Sequence, residues 1–257
     1  MVAQRIRFSL LVLFFLRQEA VAVVTPEQVY TDPKLVALAR AVAAGNVADV
    51  QQMLGSGVSA APKGPKGFSL THFALYAKSN GPAILKLLVK AGADPVSTLD
   101  DGNDVPHYAA ARDDADPEFL SALLDAGVSP NLVSGGEKTS LLTAAVSGRN
   151  FRVVELLLAR GANVNYNHPF TGTALHTALV IPDYRLATLL LDHGADPNLR
   201  NKQDPSISPG VVRETPGEMY CRTQSGKRKH PSAQQLSEFE AMKMAFARHG
   251  VKLPCGL

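Results

Sequence analysis

The sequence predicts an all-α solenoid, in which about five to six helix-turn-helix units, including the two terminal caps, stack side by side with hairpin loops between them. Two recurring motifs predict this fold. The first is a glycine after a leucine-rich stretch, which recurs at intervals of 35, 35, 34 and 33 residues, at Gly57, Gly92, Gly127, Gly161 and Gly194. The second is a short motif that opens each unit. Because no single unit can bury its apolar face alone, neighbouring units must share one continuous core.

Each recurring glycine stands where a helix is expected to end. The leucine-rich stretches before them are Val50–Leu54, Ile84–Val89, Phe119–Leu124, Val153–Leu158 and Leu186–Leu191. Glycine adopts the left-handed backbone conformation without a steric cost, so a glycine just after an apolar helix is the usual stop. Five such stops at nearly constant spacing indicate a repeated structural unit.

The opening motif identifies a family resemblance. Its four copies are Ser69–Ala74, Asp104–Ala109, Thr139–Ala144 and Thr173–Ala178. They resemble the T-P-L-H-x-A signature of the ankyrin-repeat family, with Leu142 in place of one histidine and Pro106 where leucine is usual. The resemblance covers residues 33–200. It implies that each unit is a short inner helix, a tight turn, a longer outer helix and a projecting hairpin.

Both ends of the predicted ankyrin-repeat domain, residues 23–257, depart from the pattern. Residues 35–44 and 47–54 form a first helix pair that lacks the opening motif. Residues 232–249 form a long helix with an apolar stripe at three- and four-residue spacing, which we interpret as a capping helix. Prolines and glycines between them predict that 199–231 is a long insertion without a long element of its own.

The first 22 residues are typical of a cleavable signal peptide. Arg5 and Arg7 precede the apolar run 8–16, and Ala20-Val21-Ala22 supplies a small-x-small cleavage pattern. The run is too short to cross a bilayer of about 30 Å as a helix. We therefore expect export to the periplasm, with no stable membrane insertion after cleavage.

Charge and motifs argue against several classes of function. The net charge of +3 is too small to indicate a nucleic-acid partner. No nucleophile, zinc-protease, phosphate-loop or dinucleotide motif occurs, so we expect neither an enzyme nor a cofactor. The basic run Lys227–His230 is interpreted as solvated, with an acidic partner or an anionic membrane surface as the alternative.

Three recurrent histidines, His72, His107 and His176, could be metal ligands. Equivalent positions in stacked repeats lie about 10 Å apart, however, whereas ligands of a shared zinc lie about 2 Å from the metal. The ankyrin resemblance implies instead that these histidines hydrogen-bond backbone groups of the turn between adjacent repeats. We therefore expect no metal site.

Cys221 and Cys255 are the only cysteines. An even count in an exported chain favours a disulfide, which would close a loop of about 35 residues and contribute on the order of 3 kcal/mol. Two free thiols are the alternative.

The ankyrin resemblance places the binding surface on a concave face, built from the ends of the inner helices and the hairpin tips. The residues that it implies are Phe68, Tyr76, Asp101, Arg112, Val146, Tyr166, Phe170, Val180 and Ile181. Grouped apolar and aromatic side chains of this kind are typical of interface hot spots. Alternatively, Val180 and Ile181 pack under the 199–231 insertion.

These expectations combine into a monomeric, non-enzymatic periplasmic protein of a Gram-negative bacterium that clamps another protein in its groove. Exported proteins that it resembles include immunity proteins against type VI secretion lipase effectors. They also include ankyrin proteins that support catalase-based defence against oxidative stress. We favour immunity, because blocking an active site needs a shaped groove and no chemistry. A cell-wall-acting enzyme that uses hairpin carboxylates is the remaining alternative.

Overall fold

The computed structural model describes residues 24–100, 102–112, 116–134, 139–169, 171–201, 214–224 and 232–253. These residues form thirteen α-helices, one short 3-10 turn and one two-stranded hairpin. The chain divides into an N-terminal unit, Met1–Asp100, and a C-terminal unit, Asp101–Leu257. The signal peptide (1–22), Asp101, Phe170, the basic run Lys227–His230 and Cys255 lie outside the described residues.

The N-terminal unit contains a short first helix and two helix pairs. Its elements are α1 (Pro26–Val29), α2 (Pro33–Ala44), α3 (Val47–Gly55), the 3-10 turn Pro65–Gly67, α4 (Leu70–Leu75) and α5 (Gly81–Lys90). The pair α2 and α3 is repeat 1, and the pair α4 and α5 is repeat 2.

The C-terminal unit contains four helix pairs. Its elements are α6 (Val105–Ala111), α7 (Pro117–Asp125), β1 (Val133–Ser134), β2 (Thr139–Ser140), α8 (Leu141–Ser147), α9 (Phe151–Ala159), α10 (Ala174–Val180), α11 (Tyr184–Asp192), α12 (Pro216–Gln224) and α13 (Ala233–Arg248). Consecutive pairs are repeats 3 to 6, and within each pair the first helix is the inner helix and the second is the outer helix. Within the described residues, no helix is both long and apolar enough to cross a membrane.

Each inner helix of repeats 2 to 5 begins at a residue whose side chain can satisfy free backbone N–H groups. These N-cap residues are Ser69, Asp104, Ser140 and Thr173. Helix starts leave N–H groups without a partner inside the helix, so a short polar acceptor at this position stabilises the start. The polar residue of the opening motif is therefore the residue that begins each helix.

The inner helices lie between their neighbours and are buried almost all round. In repeat 4, α8 contacts α6 on one side and α10 on the other. Residues 141–146 are all buried as a result. The outer helices bury one stripe only, as Val153 and Leu157 show in α9. This difference explains why the inner helices expose little except their last residues.

Repeat 4 begins one residue later than the sequence analysis placed it. The motif there was aligned on Thr139, but α8 is capped by Ser140, whose Oγ accepts from the backbone N–H of Thr143 at 3.2 Å. Thr139 instead belongs to β2, where it pairs with Ser134 of β1. Thr143, and not Leu142, therefore occupies the place of the motif's histidine.

The predicted insertion, 199–231, contains a helix that the sequence analysis did not expect. Thr215 and Glu218 begin α12 through reciprocal bonds: Thr215 N–H donates to Glu218 Oε2 at 2.7 Å, and Glu218 N–H to Thr215 Oγ1 at 3.3 Å. This pattern is a capping box, with proline at the favourable first helical position. Because α12 packs on α10 and α13 packs on α11, repeat 6 is a complete helix pair.

Candidate protein-binding surface

Each inner helix of repeats 2 to 5 ends at a C-cap residue, which lies eight residues after the N-cap residue in repeats 3 to 5 and seven residues after it in repeat 2. In the N-terminal unit this residue is Tyr76, and 45% of its surface is exposed. In the C-terminal unit the C-cap residues are Arg112, Gly148 and Ile181. Arg112 and Ile181 are half-buried, as is Val180, the last residue of α10. Four of the predicted partner-binding residues thus lie at inner-helix ends and keep accessible surface.

Val146 does not belong to this surface. Its side chain is 0% exposed, so the prediction that it contacts a partner is wrong. The cause is the one-residue displacement of repeat 4, which makes Ser147 the equivalent of Val180 and Val146 the equivalent of the buried Leu179.

Gly148 leaves the equivalent place in repeat 4 without a side chain. A Cβ atom at Gly148 would come within 2.0 Å of the Ala111 carbonyl oxygen. Glycine here allows the end of α8 to approach the end of α6 closely.

Phe68 and Tyr166 are the remaining described residues predicted to contact a partner. Phe68 is half-buried, with its ring 4.8 Å from that of His72 and 5.0 Å from that of Phe73, so part of its surface packs within its own repeat. Tyr166 is also half-buried, and burial raises the pKa of its hydroxyl. Asp101 and Phe170 lie outside the described residues, and their predicted role stays a prediction.

Two of the three motif histidines have the same arrangement. His176 is fully buried, and its Nδ1 accepts from the backbone N–H of Thr173 at 3.1 Å. Its Nε2 lies 3.0 Å from the Glu214 carbonyl oxygen, to which only a protonated nitrogen can donate. His72 Nδ1 likewise accepts from the backbone N–H of Ser69, at 3.2 Å. In both residues an unprotonated Nδ1 is therefore required, so the neutral form is the one that fits.

His107 has a different partner. Its Nδ1 lies 2.7 Å from Asp104 Oδ1, and its Nε2 lies 2.8 Å from the Thr139 carbonyl oxygen. Both oxygens are acceptors, so the two contacts are both hydrogen bonds only when each ring nitrogen carries a proton. Burial opposes ionisation of Asp104, but its hydrogen bonds and charge interaction with His107 keep its pKa below the usual value. Repeat 3 therefore contains a buried contact between a histidine ring and a carboxylate.

Within the described residues, no group of three or more His, Cys, Asp or Glu side chains is placed to hold a metal ion. His107 and His176 instead contact backbone carbonyl oxygens of the next repeat, and His72 contacts the N-cap residue of its own helix. Cys221 lies on α12, and its predicted disulfide with Cys255 involves a residue outside the described ones, so the disulfide stays a prediction.

A cavity of about 280 Å³ opens beside the inner-helix ends of the C-terminal unit. Its walls come from repeats 4 to 6: Arg149, Phe151, Pro182, Asp183, Tyr184, Arg185, Gln235 and Glu238. Pro182 directly follows Ile181, so the cavity is continuous with the predicted binding surface. The sequence analysis did not identify it, because its residues lie on three repeats and recur at no fixed spacing.

Comparison with known proteins agrees with this architecture. Residues 106–201 match the family model described as ankyrin repeats in three copies. A solved structure of the ankyrin repeat domain of Bcl-3 superposes with a TM-score of 0.63 at 22% identity, covering 81% of this chain and 85% of that one. The chain has the ankyrin-repeat fold.

Curated relatives share the ankyrin repeats over about half of this chain. The transient receptor potential channel pyrexia of Drosophila melanogaster is 35% identical over 132 residues, which are 51% of this chain and 13% of that protein. Ankyrin repeat and SOCS box protein 6 of Homo sapiens is 32% identical over 46% of this chain and 28% of that protein. A putative ankyrin repeat-containing protein of Treponema pallidum is 32% identical over 46% of this chain and 39% of that protein. Each match therefore covers less than half of the relative.

The ankyrin-repeat fold confirms the predicted fold class and indicates a protein-binding module. Folds of this kind are typically non-enzymatic binding scaffolds, with the ends of stacked repeats forming extended surfaces. The inner-helix ends described above are thus the natural candidate surface of this chain.

Proposed function

We propose that this chain is an exported, non-enzymatic protein that binds another protein through the inner-helix ends of its C-terminal unit. The observation that carries the proposal is the row Arg112, Val180 and Ile181, whose side chains stay partly accessible although the helices before them are buried. Arginine is enriched at interface hot spots, and apolar side chains supply contact area around it.

The signal-like first 22 residues support export to the periplasm, where we propose that the protein acts as a monomer. Within that compartment we propose an immunity role, in which the chain covers the active site of an incoming toxin such as a type VI secretion lipase effector. Such blocking requires a complementary surface and no catalytic group. Among the described residues there is no cluster that could hold a metal ion. Blocking an active site does not require one.

The experiment identifies the partner and then tests the surface. The full chain, purified from the periplasm after processing, is used to capture partners, and the captured protein is purified and titrated against it. We expect the double variant Val180→Glu and Ile181→Glu to weaken binding about 30-fold, because charges would then face an apolar contact. The matched control is Met244→Glu on α13. Met244 is 65% exposed and does not belong to the row Arg112, Val180 and Ile181.

Unchanged affinity of the double variant, with an unaltered circular dichroism spectrum, would show that the proposed surface is wrong. A lipase-type toxin as the captured partner, and protection of cells from it, supports the immunity role. A catalase, together with peroxide sensitivity of a deletion strain, would instead replace that role by defence against oxidative stress.

A further inference from the structure

The C-terminal unit contains two kinds of arginine. Arg160, Arg200 and Arg248 form salt bridges with Asp125, Glu218 and Asp192 respectively. Three other exposed arginines, Arg149, Arg152 and Arg185, form no salt bridge with any described residue. Two of these, Arg149 and Arg185, line the cavity of about 280 Å³. Arginines without a salt bridge are thus grouped at the cavity.

Arg149 occupies a backbone conformation that disfavours it. Its φ is +55°, in the left-handed region, where a non-glycine residue costs on the order of 1 kcal/mol. Its guanidinium donates from Nη2 to the Ile181 carbonyl oxygen at 2.6 Å, which uses one of its five N–H donors. The remaining donors are available at the cavity wall.

Arg185 is held over an aromatic ring. Its guanidinium carbon lies 4.8 Å from the centre of the Phe151 ring, a distance at which cation and ring attract each other. Stacking on one face of the guanidinium leaves its edge free to form two parallel hydrogen bonds with a carboxylate. Arg152 follows Phe151 on α9, at the helical position that Arg185 has on α11.

The cavity also contains two carboxylates, Asp183 and Glu238, which affect how strongly different anions can bind there. Asp183 accepts from the backbone N–H of Leu186, and Glu238 accepts from Gln234 Nε2, so each has a partner on its own helix. Both would repel a doubly charged phosphate more strongly than a singly charged carboxylate. Their remaining lone pairs can accept N–H groups, which a peptide backbone supplies beside its carboxylates and a phosphatidylglycerol headgroup lacks.

We propose that this cavity receives an acidic segment of the partner protein, with Arg149 and Arg185 pairing with its carboxylates and Phe151, Pro182 and Tyr184 contacting its apolar atoms. The inference rests on the proposed protein-binding function and adds the chemistry of the partner. Arg149 joins the two surfaces directly, because it contacts the carbonyl group of Ile181.

The probe is a hexaglutamate peptide with blocked termini, titrated into the processed full chain at low ionic strength and followed by NMR. We expect shifts to concentrate at residues 149–152 and 182–185. Arg185→Gln should weaken binding about fivefold, since its loss removes one charge-assisted contact. Arg185→Lys keeps the charge but not the paired geometry and should weaken binding less. Hexaglutamine and hexalysine peptides should not bind.

The matched control is Arg160→Gln, which removes an equal charge from an arginine that is already paired with Asp125. Equal weakening by Arg160→Gln and Arg185→Gln would mean nonspecific attraction and overturn the proposal. Absence of hexaglutamate binding would overturn it too. Binding to phosphatidylglycerol vesicles that depends on Arg185, without binding of the peptide, would replace the protein partner by a membrane.

The two proposals fail differently. If the captured partner binds normally to the Arg185→Gln variant but not to the Val180→Glu and Ile181→Glu variant, the protein-binding surface stands and the acidic-segment proposal is overturned. If the Val180→Glu and Ile181→Glu variant also binds normally, the proposal that the partner binds at the inner-helix ends is wrong as well.

Discussion

Repeats 3 and 5 solve the same structural problem with different chemistry. In each, a buried histidine on the inner helix connects the N-cap residue of that helix to a backbone carbonyl of another segment. In repeat 5 the cap is Thr173 and the histidine Nδ1 accepts from its backbone N–H, whereas in repeat 3 the cap is Asp104 and the histidine Nδ1 contacts its carboxylate. The comparison teaches that the residue three positions before the histidine sets the group that Nδ1 contacts, while the Nε2 contact with a backbone carbonyl is retained.

The difference also changes the cost of disruption. A buried ion pair is expensive to break, because the remaining charge stays in a poorly solvating place. A neutral hydrogen bond costs less, since only a polar group loses its partner. The two repeats should therefore respond differently to substitution and to pH.

The largest effect is expected for Asp104→Ala. This change removes a buried carboxylate that accepts from the backbone N–H of His107 and contacts its Nδ1, and it should lower the free energy of unfolding by about 3 kcal/mol. Urea unfolding of the purified protein measures it. Asp116→Ala, which removes an exposed cap of α7, is the control and should cost about 1 kcal/mol. Equal losses for the two variants would mean that the buried contact of Asp104 with His107 adds nothing to an ordinary helix cap.

His176→Leu should have the next largest effect. The Glu214 carbonyl and the Thr173 N–H lose their partner, which should cost about 2 kcal/mol. The loss should be local, because Glu214 leads directly into α12. Hydrogen exchange should quicken at residues 216–224 more than in α6. His193→Leu, at an exposed end of α11, is the control, and comparable exchange in both variants would contradict the assignment.

Mild acid should affect repeat 5 before repeat 3. Burial lowers the pKa of His176 below 6.5, against the opposing effects of the Glu214 carbonyl and carboxylate. A histidine with a lowered pKa stabilises the fold at pH values above 6.5. That stability decreases as the pH falls below 6.5, because the unfolded chain then binds a proton that the folded chain does not.

The lowered pKa of Asp104 has its effect only below about 3.8. Hydrogen exchange at pH 7 and pH 5.5, corrected for the intrinsic rate, should therefore show loosening at α12 with α6 unchanged. Loosening of α6 first would reverse the comparison.

Thr173→Asp should have the smallest effect on stability and the clearest effect on charge. It gives repeat 5 the cap of repeat 3, so His176 should gain a second ring proton. Because the new attraction is offset by the cost of burying two charges, stability at pH 7 should change by less than about 1 kcal/mol. Nitrogen-15 shifts of the imidazole ring measure the protonation, and a ring that stays neutral would break the comparison.

The sequence was sufficient for the repeat period and the terminal helix. It misplaced repeat 4 because Thr139 and Ser140 can both cap a helix, and only the hydrogen bond from the Thr143 N–H to Ser140 Oγ decides between them. It missed α12 because Pro216 and Gly217 suggest a break, although proline is favourable at a helix start. Thr215 and Glu218, three residues apart, were the signal that could have identified this helix.

The positions of the proposed binding residues were derivable only where the repeat period could be transferred correctly. Four of these residues lie at inner-helix ends: Tyr76, Arg112, Val180 and Ile181. Val146 is buried instead, because the sequence analysis placed repeat 4 one residue too early. The cavity with Arg149 and Arg185 could not be derived, because the meeting of three outer-helix starts depends on how the repeats pack.

Gly148 limits how this surface can diversify. The Ala111 carbonyl oxygen excludes any side chain at this position, so the proposed surface carries bare backbone in repeat 4 between Arg112 and Ile181. Variation among the C-cap residues of repeats 3 to 5 is therefore confined to the two flanking positions, whether by natural selection or in a combinatorial library. A library built on this chain would vary residues 112 and 181 and keep 148 constant.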